Sequence, residues 1–311
     1  MGHVKNYKLL KNSDNFRLGV KNAALLSNSS CQPKNISQGN KLLQIISCES
    51  YSIMRRPIII QSFHASPWPK VIEVAVESVA SWAKTRNYRY ILFGDEVMDL
   101  LPDEFTVKCS NRLPMMIDLA RLLIIRQLFE EGAEQVIWFD ADVLIFSPQH
   151  FDVNLTPEQV VGREIWVSKT KAGRWKAHKH VHNAVLSFRR TSPILDFLIF
   201  ATERIGKQLK APASPQLVGP KLFSHIHNLV NLNVWEEAGM LSPGVMSNII
   251  NKGGPALDCH LRKQTRPALA ANLCYSLVSK KIDDIFVDED FLLDAANELL
   301  KRFYKSGLTP M

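Results

Sequence analysis

Asp140-Ala141-Asp142 closes the apolar run Val136-Ile137-Trp138-Phe139. In an extended strand, alternation places the two carboxylates on one side and turns Ala141 away. Such a pair at a strand end offers hard oxygen donors to a divalent cation, Mn²⁺ or Mg²⁺. That cation keeps coordination positions open for the oxygens of a diphosphate. Acidic residues at strand ends are also commonly just solvated, so the neighbouring motifs carry the weight.

Upstream, Asp118-Leu119-Ala120-Arg121 falls in a helical pattern. Residues at i and i+3 share a helix face and can pair. As a surface pair this would contribute about 0–1 kcal/mol. Next to a ligand, Asp118 would accept hydrogen bonds from a ribose or base while Arg121 orients it or faces a phosphate.

The elements needed to position these residues are legible as an alternation. Ile58-Ile59-Ile60-Gln61-Ser62-Phe63 reads as a strand, and Pro69 opens a helix through about Lys84. Tyr90-Ile91-Leu92-Phe93 is a second strand, and a helix from Leu113 to Glu130 stops near Gly132. Gln135 to Phe139 then carries the acidic pair, with Val143-Leu144-Ile145-Phe146 continuing beyond it. Later strands are expected at Glu164–Ser168 and Ala184–Phe188, and helices at Pro193–Lys207, Pro215–Leu229 and Asp288–Tyr304. The β-α-β-α-β start predicts an α/β fold, a mostly parallel sheet with helices on both faces. Ligands of such sheets collect beyond the carboxyl ends of the strands, where Asp140 and Asp142 belong.

Asp-x-x-Arg on a helix, about twenty residues before a hydrophobic strand ending in Asp-x-Asp, resembles the DXD-containing GT-A glycosyltransferases. The similarity is to the sugar-binding-region group that includes Och1-like mannosyltransferases and bacterial polysaccharide glycosyltransferases. Met116 to Arg121 and Phe139 to Val143 carry most of it. Where that group usually has Gly-Gly-x-Tyr, this chain has Gly132-Ala133-Glu134-Gln135, closer to glycogenin-like relatives. Gln61-Ser62-Phe63-His64, His182-Asn183-Ala184-Val185-Leu186-Ser187-Phe188 and Gln216-Leu217-Val218-Gly219-Pro220 extend the resemblance over roughly residues 57 to 280.

The resemblance implies a hexosyl transfer from a nucleoside-diphosphate sugar, a UDP- or GDP-sugar, to a hydroxyl of a glycan or other acceptor. Asp142 would bind the cation directly and Asp140 through water or by way of the ribose. Gln61, Asp118, Arg121, Gly219 and Pro220 would line the donor, and the Asn183 amide would contact the donor sugar or acceptor. A third metal ligand, often His, is expected late in the chain; Asn272 stands at the matching position, and His260 is a competing candidate. No general base declares itself. The families resembled are retaining, which implies retention here.

Three alternatives stay open. One is a non-catalytic GT-A-like scaffold binding nucleotide or a polyanion. The second is an Asp-x-Asp phosphatase, against which Leu144 replaces the usual Thr or Val and the motif lies mid-chain. The third, a sugar nucleotidyltransferase, lacks its Gly-rich phosphate loop after the first strand.

From Lys169 to His182 runs a basic stretch punctuated by Trp175, read as a flexible loop that covers the donor. Its composition would equally suit nucleic acid, which is not the expected partner. His178, His180 and His182 alternate, a spacing that extended backbone could turn toward zinc.

The chain has 311 residues, 46% hydrophobic and 22% charged, and a net charge of +8, which fits one elaborated globular domain with an anionic partner. Residues 1–56 are Lys-, Asn- and Ser-rich with two acids, Asp14 and Glu49, and read as a basic, poorly ordered leader. Residues 57–311 are expected to form the domain that resembles the GT-A glycosyltransferases. The five cysteines show no CxxC spacing, which argues for a reduced, cytoplasmic setting. No stretch is apolar for long enough to span a bilayer, so a lipid-linked acceptor would be met by peripheral contact.

Overall fold

The computed structural model describes residues 56–64, 67–209 and 216–309. All but the last residue of the expected leader lies outside the described residues. In chain order the elements are β1 (Ile58–Ser62), α1 (Lys70–Thr85), β2 (Arg89–Phe93), α2 (Asp103–Cys109), α3 (Leu113–Glu130), β3 (Gln135–Phe139), β4 (Val143–Ile145), β5 (Gln159–Lys169), β6 (Trp175–Arg189) and α4 (Leu195–Gln208). There follow α5 (Leu222–Val230), β7 (Asn233–Trp235), β8 (Ala238–Met240), α6 (Pro243–Ile250), α7 (Pro255–Leu261), β9 (Ala270–Asn272), β10 (Lys280–Ile282), β11 (Ile285–Val287) and α8 (Glu289–Arg302).

The central sheet is mixed and mostly parallel, in the order β2-β1-β3-β6-β5-β7. β1 pairs parallel with β2 and β3, and β5 with β7, while β6 runs antiparallel to both β3 and β5. The strands are apolar on both faces, so both need cover. Ile58, Ile60, Val136 and Trp138 point to one side and pack with Leu119 and Leu122 of α3 and Leu198 of α4. Ile59, Ile137 and Phe139 point to the other, against Val79 and Trp82 of α1. The opposite side of α1, through Val71, Ile72 and Val76, joins a third core with Met246 of α6 and Leu292 of α8.

Three sequence expectations are corrected. β4 does not prolong β3. It pairs antiparallel with β9 in a separate sheet of order β4-β9-β8, with Val143 opposite Asn272. The helix expected from Pro215 is broken: Pro215 lies outside the described residues, Gly219 has non-helical backbone (φ −95°, ψ −114°), and α5 starts only at Leu222. Pro220 is the reason, because a proline ring disfavours helical backbone in the residue before it. The basic stretch is not a flexible loop but the tip and second strand of a long hairpin. β5 and β6 pair from Gly162–His182 out to Lys169–Trp175, and the turn closes through Thr170 N to Arg174 O at 2.8 Å. The alternation of Lys176, His178 and His180 is a strand period.

Trp82 is the largest side chain of the α1 face. It is 1% exposed, and its indole N–H donates to Phe151 O at 3.0 Å. Trp82→Ala should lower stability by about 3–5 kcal/mol, read as a reduced urea midpoint.

Candidate active site

β3 ends in the middle of the sheet, and the chain turns at once through Asp140 and Asp142. The Asp140 N–H donates to Ala184 O at 2.7 Å, so the strand end is tied to β6. There the register of β5 against β6 jumps: Val161 faces Leu186, but Gly162 faces His182. Asn183, Ala184 and Val185 form the resulting bulge and swing toward β3, with Val185 opposite Phe139. Bulges re-aim side chains in this way. Here the bulge delivers Asn183 to Asp118 and Arg121.

Asp118 and Arg121, one turn apart on α3, both point inward and are 6% and 5% exposed. Asp118 Oδ1 accepts from Asn183 Nδ2 at 2.7 Å and lies 3.3 Å from Arg121 Nη2. That same nitrogen sits 3.1 Å from Asp140 Oδ1, and Arg121 Nη1 donates to Asn183 O. The surface ion pair is thereby excluded. One guanidinium joins the helix carboxylate, the strand-end carboxylate and the bulge. Gly219 closes the far side of Asp118: a Cβ there would lie 2.4 Å from Asp118 Oδ2. Pro220 acts by holding Gly219 out of helical conformation.

Trp138 belongs to the site, although the sequence motifs do not single it out. Its indole Nε1 donates to Asp140 Oδ1 at 2.6 Å, and the Arg121 guanidinium sits 5.2 Å from the ring centre. The signal was available, since two residues along a strand brings a side chain back to the same face. Gln61 reaches the site differently from expectation. Its amide donates to the Asp140 carbonyl at 3.1 Å and accepts from Tyr90 Oη at 2.9 Å, so it braces the backbone of the strand end.

Asp142 is held from the opposite side. Its Oδ1 accepts from Asn272 Nδ2 at 2.6 Å and its Oδ2 from the Tyr275 backbone N–H at 2.8 Å. Asn272 therefore shows its nitrogen to Asp142, while its oxygen accepts from Cys274 N at 2.7 Å. In this arrangement Asn272 orients Asp142 and offers no oxygen beside it. His260 is not brought to the acidic pair. It lies on α7, 1% exposed, with Nδ1 3.2 Å from Ile165 O. Among the described residues no cluster of three or more His, Cys, Asp and Glu side chains is disposed to hold a metal ion. His178 and His180 do share a strand face, but His182 is buried with Nε2 3.1 Å from Ala238 O, so they form no zinc site.

The electrostatics follow from two carboxylates sharing one guanidinium, with a third, Asp142, beside Asp140. Burial pushes the Asp118 carboxyl up to about 6 against the pull of Arg121 and Asn183. Burial, and then the charge of Asp140, pushes Asp142 up to about 7 although its hydrogen bonds pull it down. Burial raises Asp140 too, opposed by Arg121 and Trp138. With all three ionised the site carries an excess of negative charge, presented on carboxylate oxygens. Asp140 and Asp142 are both half-buried, at the rim.

No protein-family model matches the sequence, and no curated protein matches it. Among solved structures, a glycosyltransferase involved in the glycosylation of the major capsid of PBCV-1 aligns over 78% of this chain and 98% of its own, at 12% identity and a TM-score of 0.39. The PaToxG glycosyltransferase aligns over 68% of this chain and 82% of its own, at 13% identity and a TM-score of 0.33. A mannose-1-phosphate geranyltransferase from Thermus thermophilus aligns over 52% of this chain and 67% of its own, at 11% identity and a TM-score of 0.28. Likeness this distant carries no functional weight, and the side chains of the site have to speak for themselves.

Two outcomes follow from this geometry. Gly219→Ala should displace Asp118 and cost about 1–3 kcal/mol of stability, read by chemical denaturation. Asp142 has a folded pKa above its ordinary value of 3.8, so its contribution to stability is full below about pH 4 and is lost as pH rises toward 7. The stability of the wild type relative to Asp142→Asn should therefore fall across that window, as measured by melting at about pH 4.5 and about pH 7.5.

Proposed function

We propose that the protein is a glycosyltransferase that uses a nucleoside-diphosphate sugar and a divalent cation. The observation that carries this reading is the convergence of Asp118, Arg121, Asp140 and Asn183 on one buried hydrogen-bonded network at the carboxyl end of β3. Four residues from a helix, a strand end and a bulge meet there, as a donor-binding function requires and as the DXD resemblance implies.

Asp140 and Asp142 would hold Mn²⁺ or Mg²⁺, which when bound stabilises the negative charge of the departing diphosphate. The chain's own residues do the positioning. Trp138 and Arg121 both engage Asp140 Oδ1, which leaves Oδ2 for a ligand. Asn272 and the Tyr275 N–H fix the plane of the Asp142 carboxylate. Arg121 holds Asp118 and Asp140 together, and Asp118 in turn fixes the Asn183 amide. Retention of configuration is carried by the resemblance alone.

A second reading, a scaffold that binds nucleotide without transferring sugar, is favoured by one observation: Asn272 presents a donor, not a ligand, to Asp142. Melting in the presence of Mn²⁺ with UDP or GDP, together with nucleotide release from a panel of donor sugars, separates the two. A transferase should be stabilised by Mn²⁺ plus one of the nucleotides and should release that nucleotide from its donor. A scaffold should be stabilised and release none, and a protein stabilised by neither refutes both. In a transferase, Asp142→Asn should cut release by roughly 100-fold or more, because charge stabilisation at the leaving group is lost.

A further inference from the structure

The β5–β6 hairpin has two unlike faces. On one, the cations are already used: Lys169 pairs with Asp284 at 3.2 Å, Lys179 with Glu236 at 3.3 Å, and Trp175 packs against Gly244. On the other, the cross-strand pairs are Glu164–His180, Trp166–His178 and Ser168–Lys176. Lys176, His178 and His180 are exposed, and Glu164, Trp166 and Ser168 are half-buried. The three basic side chains have no ion-pair partner among the described residues, and the two imidazoles lie parallel, 6.4 Å apart.

This face leads to the acidic site. Its next pair is Gly162–His182, and Asn183 follows directly. His180 is three residues from Asn183, about 10 Å at strand rise. Glu164 is the only acid between residues 164 and 180, against Lys169, Lys171, Arg174, Lys176 and Lys179.

We infer that the Trp166–Lys176–His178–His180 face of the hairpin is the docking surface for the acceptor, and that the acceptor is an anionic glycan. The inference rests on the transferase reading of the neighbouring site. The Lys176 ammonium and the two imidazoles, spaced two residues apart along one strand face, offer a charge and N–H donors to the repeating carboxylates of an acidic polysaccharide, and Trp166 supplies an apolar surface for a sugar ring. A nucleic-acid strand stacks successive bases on large aromatic rings, and Trp166 is the one such ring on this face beside the two imidazoles.

The test is isothermal titration of the full chain with oligoalginate, a polyuronate, beside neutral dextran, polyglutamate and poly(U). Oligoalginate should bind in preference to all three. The combined Lys176→Thr, His178→Thr and His180→Thr variant, built from residues that suit a strand, should bind it at least about tenfold more weakly at an unchanged melting temperature. Should that variant not fold, Lys176→Glu alone should weaken binding at least about threefold. Equal binding of polyglutamate or poly(U), no binding of oligoalginate, or unaltered binding by both variants overturns the inference. Stabilisation by Mn²⁺ and nucleotide, measured on the same preparations, reports separately on the transferase reading. If only that is lost, the hairpin remains a glycan-binding face on a protein that is not a transferase.

Discussion

The Arg121 guanidinium is the interaction on which the site depends. It is almost wholly buried and spans Asp118, Asp140 and the Asn183 carbonyl. Desolvating such a group costs several kcal/mol, which ion pairing offsets only when the geometry is good. A planar fork suits the task because its nitrogens reach partners on different elements at once; a lysine could not. Its Nε has no partner among the described residues. Two carboxylates share one positive charge, so the network is held together yet left short of cations.

Irregular backbone clusters around this group. The bulge in β6 presents Asn183, the non-helical turn at Gly219 lets the chain approach Asp118, and Cys274 adopts a left-handed conformation (φ +56°) while its N–H caps Asn272. Each departs from the regular element that local pattern would favour. Such departures collect at functional sites because the surrounding packing can sustain them. The rigid parts, β1 and β3 between α1 and α3, supply that packing.

Charge is segregated across the same region. A carboxylate-rich pocket lies at the sheet's end, and a hairpin face whose basic side chains lack ion-pair partners among the described residues starts three residues away. The overall charge of +8 hides this separation.

Much of the frame was legible in the sequence. Helix α3 and strand β3 fall where their periodicity puts them, and the pairing of Asp118 with Arg121 follows from helical spacing. Types and spacing along one element are local properties, so the chain alone determined them: the strand carrying Asp140, the helix carrying Asp118 and Arg121, and the α/β class. Contacts between elements far apart in sequence depend on register and on the bulge, which no local pattern encodes. Only the tertiary structure decided that Asn183 meets Asp118, that Asn272 turns its nitrogen to Asp142, that His260 is spent in the core, and that the basic stretch is a strand. The physical reason is that a side chain's role is set by what lies across the gap from it, and burial and long-range pairing choose that neighbour.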